Sequence, residues 1–270
     1  MSIDPVSADR HVWSASAGDR ADPLVVLVHG SMDRSAGLLR LSRRLDPRFR
    51  VVRFDRRGYG RSTEVGPPWT VDANIDDLAL VIETEIAASG GVPGGGSAVV
   101  FGHSFGGNVA LGVAQRRPDL VSAVAVYETP MSWLDTWPGN SAGSAAQAAP
   151  DPGAAAEAFI RRLVGDAAWD RLPVAKQEQR RAEGAAMVAE LADLRAAAPW
   201  DPSRIGVPVL AMYGEHGRDH HRAAMVGLGD LLDRCHAVCL TDAGHAGPHT
   251  HADSVATAFE TFVNSLRRDD

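Results

Sequence analysis

Six short apolar runs, separated by stretches of helical spacing, constrain this 270-residue chain more than any other feature. They are Leu24 to Val28, Val51 to Phe54, Ala98 to Phe101, Val121 to Tyr127, Val207 to Tyr213 and Ala237 to Leu240. Each is nearly continuous in apolar, often β-branched residues rather than alternating, as strands covered on both faces are. Between them, Ser35 to Leu45, Val71 to Ala88, Phe105 to Gln115, Arg222 to Leu232 and Ser254 to Leu266 repeat apolar residues at helical intervals. The pattern predicts an α/β fold, a mainly parallel central sheet flanked by helices, with His11 to Ala15 as an added antiparallel edge strand.

One interval breaks the alternation. From Pro130 to Pro208 no strand is legible; a Pro/Gly/Ala-rich opening, Trp137 to Gly153, precedes helical stretches near Ala154 to Leu163 and Val174 to Ala197. An excursion of that length inside a βα repeat predicts an inserted helical cap. The expected organisation is therefore a core of residues 1–130 and 201–270 and a cap of residues 131–200. Trp133, Trp137, Trp169 and Trp200 fall in or beside that cap. Gly90 to Ser97, GGVPGGGS, reads as a flexible connector.

Charge and composition exclude several classes of function. A net charge of −7 without a basic stripe argues against nucleic acid as a partner, and no apolar run has the length of a membrane span. The opening MSIDPVSADRHVW lacks the basic end and apolar stretch of a secretory signal, so a cytoplasmic location without disulfides is expected. Cys235 and Cys239 lie too far apart along one strand to bridge, and read as buried thiols. Histidines at 216, 220, 221, 245, 249 and 251 match no zinc-ligand spacing, and no phosphate or dinucleotide loop is present, so neither metal nor cofactor is expected. The expected partner is a small-molecule substrate; the sequence leaves a homodimer open and does not disclose the oligomeric state.

Chemistry enters with VVFGHSFGGN. Gly102-His103-Ser104-Phe105-Gly106 is a G-x-S-x-G sequence between an expected strand and an expected helix. A serine there sits on a strained turn, and the flanking glycines leave room for a bend that lifts its hydroxyl out of the sheet. The helix start beneath it favours developing negative charge.

Taken with Val28-His29-Gly30-Ser31, Asp55-Arg56-Arg57-Gly58-Tyr59-Gly60-Arg61-Ser62 and Ala243-Gly244-His245, in that order, the motif resembles the α/β-hydrolase fold family from about Leu24 to Phe262. The resemblance implies Ser104 as nucleophile, His245 as general base, and an oxyanion hole from the backbone N–H groups of Ser31 and Phe105. It implies a structural role for His29 and a loop beside the pocket for the arginine-rich segment. The family usually carries its acid at the place of Gly217. Here the acid is expected at Glu128, which ends an apolar strand and needs a partner such as His245, with Asp219 or Glu215 as local alternatives. Met32, His103, Met131 and Trp133 are the expected substrate contacts. The implied activity is hydrolysis of an ester, thioester or lactone of a small apolar molecule. Carbon–carbon bond cleavage, another non-hydrolytic reaction, and ligand binding without catalysis are the competing readings.

Overall fold

The protein is described by a computed structural model over residues 12–89 and 96–266. Its strands are β1 (Ser14–Ala17), β2 (Leu24–Val28), β3 (Arg50–Phe54), β4 (Ala98–His103), β5 (Val121–Tyr127), β6 (Val209–Gly214) and β7 (Cys235–Leu240). They form one sheet in the order β1-β3-β2-β4-β5-β6-β7, parallel throughout except for β1, which runs antiparallel to β3.

Neighbouring residues of a strand face opposite sides of the sheet, and here both sides are covered. Val26, Val28, Val100 and Val124 pack toward α2 (Val71–Ala88), α3 (Phe105–Arg116) and α9 (Asp219–Leu231). Val25, Leu27, Val99 and Phe101 pack toward α1 (Leu39–Leu45) and α11 (Ala252–Leu266). Two apolar faces per strand explain why the runs are continuous. β7 is the edge strand opposite β1 and is only partly covered. Consequently Cys235 is half-buried and Cys239 exposed, correcting the expectation of two buried thiols; both are free.

Boundaries differ from the sequence reading where side chains capture backbone. The edge strand starts at Ser14, and His11 lies outside the described residues, as does most of GGVPGGGS. Helix α1 starts at Leu39 rather than Ser35, because Ser35 N–H donates to Asp55 Oδ1 and its carbonyl accepts from Arg53.

Between β5 and β6 lie α4 (Ala142–Gln147), α5 (Pro152–Val164), α6 (Asp166–Asp170), α7 (Val174–Ala182) and α8 (Gly184–Ala196). They share a small core of Phe159, Ile160, Trp169, Ala186 and Met187, completed by Met32 and Tyr59 from the loops after β2 and β3. The single helix expected over Val174 to Ala197 is two helices, broken at Glu183. A side chain at Gly184 would overlap the Pro152 carbonyl, so the chains meet too closely there for any residue with a Cβ.

His29, after β2, shows how tightly the core loops are held. Its Nδ1–H donates to the Gly30 carbonyl at 2.8 Å while Nε2 accepts from Arg56 N–H at 2.9 Å. Both ring nitrogens are thus committed to the neutral form, and burial, with Arg56 beside it, holds the pKa well below the ordinary value. Below the unfolded-state pKa of about 6.5 the unfolded chain binds a proton that the folded chain refuses, so stability falls as pH falls. Between pH 7 and pH 5 this residue is therefore expected to lower stability. Urea midpoints of wild type and His29→Asn at both pH values check it: the variant should start less stable but lose less on acidification.

Candidate active site

Ser104 joins β4 to α3 with φ of 52°, a left-handed conformation costing about 1–3 kcal/mol for a residue with a side chain. The turn is held by Ser104 N–H donating to the Tyr127 carbonyl at 2.8 Å and by Gly107 N–H donating to the Ser104 carbonyl at 2.9 Å. Side chains at Gly102 and Gly106 would overlap backbone, that of Gly106 itself and that of Val28 respectively. Glycine is therefore required on both sides of the serine, for space rather than flexibility.

Glu128 follows β5, fully buried, also with positive φ. His245 lies in the loop after β7, and its Nδ1 is 2.7 Å from Glu128 Oε2. The other carboxylate oxygen, Oε1, accepts from Gly214 N–H at the end of β6 at 3.0 Å. A Cβ at Gly217 would overlap that same Oε1. The Glu128 carboxylate thus occupies the space that a side chain at Gly217, the place where the sequence resemblance puts an acid, would need. Glu215 is exposed and its carboxylate accepts from Asp242 N–H, while Asp219 is exposed at the start of α9. Neither local alternative is brought to His245 by these contacts.

The loop bearing His245 is tethered at two points. His103 Nε2–H donates to the His245 carbonyl at 2.9 Å, and Tyr127 O–H donates to the Gly244 carbonyl at 2.7 Å. The His221 ring stacks on His245 with centroids 4.7 Å apart. Desolvation holds His103 and His221 well below the ordinary histidine pKa, so both stand neutral beside His245.

Ser104 and His245 open onto a two-lobed cavity that they share with Ser31, Phe159 and Leu163. The larger lobe, about 520 Å³, is walled by Met32, His103, Ile160 and Leu172, with Asp33, Arg180 and His249 as polar lining. The smaller, about 110 Å³, reaches Phe105, Trp137, Leu194, Arg195 and His221. Of the expected substrate contacts, Met32 and His103 line the cavity; Met131 and Trp133 do not. Met131 is buried in the sheet's core, and Trp133 packs edge-on against Trp200 at 5.4 Å. Pro130 and Ser132, on either side of Met131, face the smaller lobe instead.

Sequence reasoning missed two buried acids of the inserted helices. Glu190, on α8, accepts from Ser31 Oγ–H at 2.6 Å, from Tyr59 O–H at 2.6 Å and from both terminal nitrogens of Arg56 at 2.7 and 3.2 Å. Glu183 accepts from Gly60 N–H and Arg34, with Arg180 3.4 Å away. Two glutamates seven apart, the second amid Met187, Leu191 and Leu194, were the available signal. Arg56, Arg57 and Arg61 do not line the cavity: Arg56 pairs with Glu190, Arg57 with Asp77, and Arg61 lies over the Trp13 ring.

An imidazole held at Nδ1 by a buried carboxylate, at the mouth of a pocket containing a serine on a strained turn, is an arrangement suited to accepting and returning a proton. A family model described as the alpha/beta hydrolase family matches residues 25–258, and the chain belongs to that family. Lipase LipV of Mycobacterium tuberculosis is 35% identical over 145 residues, covering 54% of this chain and 51% of the lipase. The chain thus spans about half the length of that relative. A pimeloyl-(acyl-carrier protein) methyl ester esterase of Stenotrophomonas maltophilia is 28% identical over 90% of this chain and 94% of its own. In fold, the enol-lactonase of Burkholderia xenovorans is similar with a TM-score of 0.71 and 24% identity, over 94% of this chain and 96% of the lactonase. Among the described residues no helix is long and apolar enough to cross a membrane.

Proposed function

We propose that the protein is a serine hydrolase that cleaves a carboxylic ester, thioester or lactone of a small, largely apolar molecule, with residues 131–200 acting as a cap over the site. The observation that carries this reading is the Glu128–His245 contact of 2.7 Å beside a cavity shared with Ser104. In the reaction His245 Nε2 takes the Ser104 proton as Oγ attacks the carbonyl carbon. Glu128 keeps Nδ1–H pointed away from the serine and stabilises the imidazolium. The carbonyl oxygen becomes an oxyanion, received by the backbone N–H groups of Ser31 and Phe105, the latter at the start of α3 where helix geometry leaves it without an intrahelical acceptor. His245 then protonates the leaving oxygen or sulfur as its bond to carbon breaks. Water, deprotonated by the same nitrogen, releases the acid and restores Ser104.

Size and lining support the substrate class. The larger lobe falls within the range of roughly 300–1,000 Å³ usual for small-molecule sites, and Met32, Phe159, Ile160, Leu163 and Leu172 give it an apolar wall. The relatives named above are called lipase, ester esterase and lactonase, all names for attack at an acyl carbon. The binding-only reading drew on the missing acid at position 217, and Glu128 Oε1 in that space weighs against it.

A small fluorophosphonate tests the assignment. Peptide mass spectrometry should find the label on Ser104 at one per chain, with much slower labelling in His245→Ala and in Glu128→Gln. Wild type that resists labelling, or labels equally fast without His245, would overturn it. Turnover in ¹⁸O water separates hydrolysis, which must place solvent oxygen in the acid product, from carbon–carbon cleavage or rearrangement.

A further inference from the structure

We infer that Asp33, His103 and His249 form a binding site for one divalent transition-metal ion of the zinc type, set in the wall of the larger lobe. Sequence spacing conceals it, because the three come from the loop after β2, the end of β4 and the short helix α10 (Gly247–Thr250). One donor atom from each lies within 4.8 Å of the other two.

Two of those donors are buried and unsatisfied. His103 is 5% exposed, and its Nε2 faces the His245 carbonyl, which can only accept; the ring proton therefore sits on Nε2. That leaves a lone pair on Nδ1, which is buried and has no hydrogen-bond partner. Asp33 Oδ2 is likewise buried without one. His249 Nε2 nevertheless stands 3.3 Å from this oxygen, close but outside hydrogen-bond geometry. Two ligands on a tetrahedral ion with bonds of about 2.0–2.1 Å are separated by about 3.3 Å, so the spacing is that of a coordination edge.

Two imidazoles and one carboxylate suit zinc, cobalt or nickel rather than magnesium or calcium, which favour all-oxygen shells. All three residues line the cavity, so a fourth position would face the lobe and take water or a polar group of a ligand. Arg34 and Arg180 line the same lobe, but both contact the Glu183 carboxylate. Two other groupings compare poorly. In Glu128, His221 and His245 the carboxylate and imidazole already satisfy each other, and Glu215, His216 and Asp242 are all exposed.

The test needs no turnover, so it stands apart from the serine chemistry. The full chain, stripped with a chelator, is titrated with Co²⁺ and followed by visible absorption, then with Zn²⁺ by calorimetry. One Co²⁺ per chain should bind with the bands of a low-coordinate site, displaced by Zn²⁺. Asp33→Asn and His249→Gln should each weaken binding at least tenfold, with Ser104→Ala and His221→Gln as wild type. Should Asp33→Asn fail to fold, as circular dichroism would reveal, His249→Gln decides alone. Absence of saturable one-to-one binding, affinity unchanged in His249→Gln, or loss of binding in His221→Gln would overturn the assignment.

Discussion

Glu128→Gln is expected to fold like wild type and to lose on the order of 10⁴-fold in kcat, the scale of an acid-to-amide change in such triads. The direction follows from the two contacts of the carboxylate. Gly214 N–H offers only a donor, so the amide must turn its oxygen there and its NH₂ toward His245. An NH₂ group donates, and the imidazole must then present an unprotonated Nδ1 and carry its proton on Nε2. That tautomer cannot accept the serine proton. Because the shape of the side chain is unchanged, KM should move far less than kcat. Steady-state kinetics with a small activated ester measure both, and a variant within tenfold of wild type in kcat would show that Glu128 is not the orienting acid.

Glu190→Ala is expected to cost about 3–5 kcal/mol of stability, the usual loss when one member of a buried ion pair is removed. Arg56 has no exposed surface and would keep its charge with no carboxylate, only the Asn74 side chain, the His29 and Gly30 carbonyls and the faces of Tyr59 and Phe105, to meet it. Ser31 and Tyr59 would each lose an acceptor at 2.6 Å. The same contact fixes the loop whose Ser31 N–H is assigned to the oxyanion, so kcat should fall with stability. Glu190→Gln, which can still accept from Ser31, should recover more of kcat than of stability. Urea unfolding and kinetics on the pair separate the two roles; an alanine variant of wild-type stability would contradict the network.

What was legible in the sequence were features whose meaning is local. The central strands announce themselves because both faces of each are covered, and the turn at Ser104 because Gly102 and Gly106 must lack side chains where backbone crowds them. The edge strand β7 misled on Cys239, since apolar content alone does not distinguish a half-covered strand from a buried one. For the acid the sequence offered Glu128 as the expected residue, with Asp219 or Glu215 as local alternatives. The contact of Glu128 with the space at Gly217 spans 89 positions of sequence and exists only once β5 and β6 lie side by side. Glu183 and Glu190 were hard to read for a related reason: the local signal was only their spacing and the apolar neighbours of Glu190, while the partners that explain them, Arg34 and Arg56, lie far behind them in the chain.

An acid at Glu128, the end of β5, rather than after β6, as proposed, would change how the chain can be modified. Ser31, Ser104, Phe105 and Glu128 all precede the first inserted helix, and only His245 comes after the last. The insertion can therefore be lengthened, shortened or exchanged without altering the distance in sequence between nucleophile and acid. Cutting the chain within the insertion would leave one fragment carrying every group proposed for the serine chemistry except the His245 imidazole, a natural seam for a two-piece version of the protein.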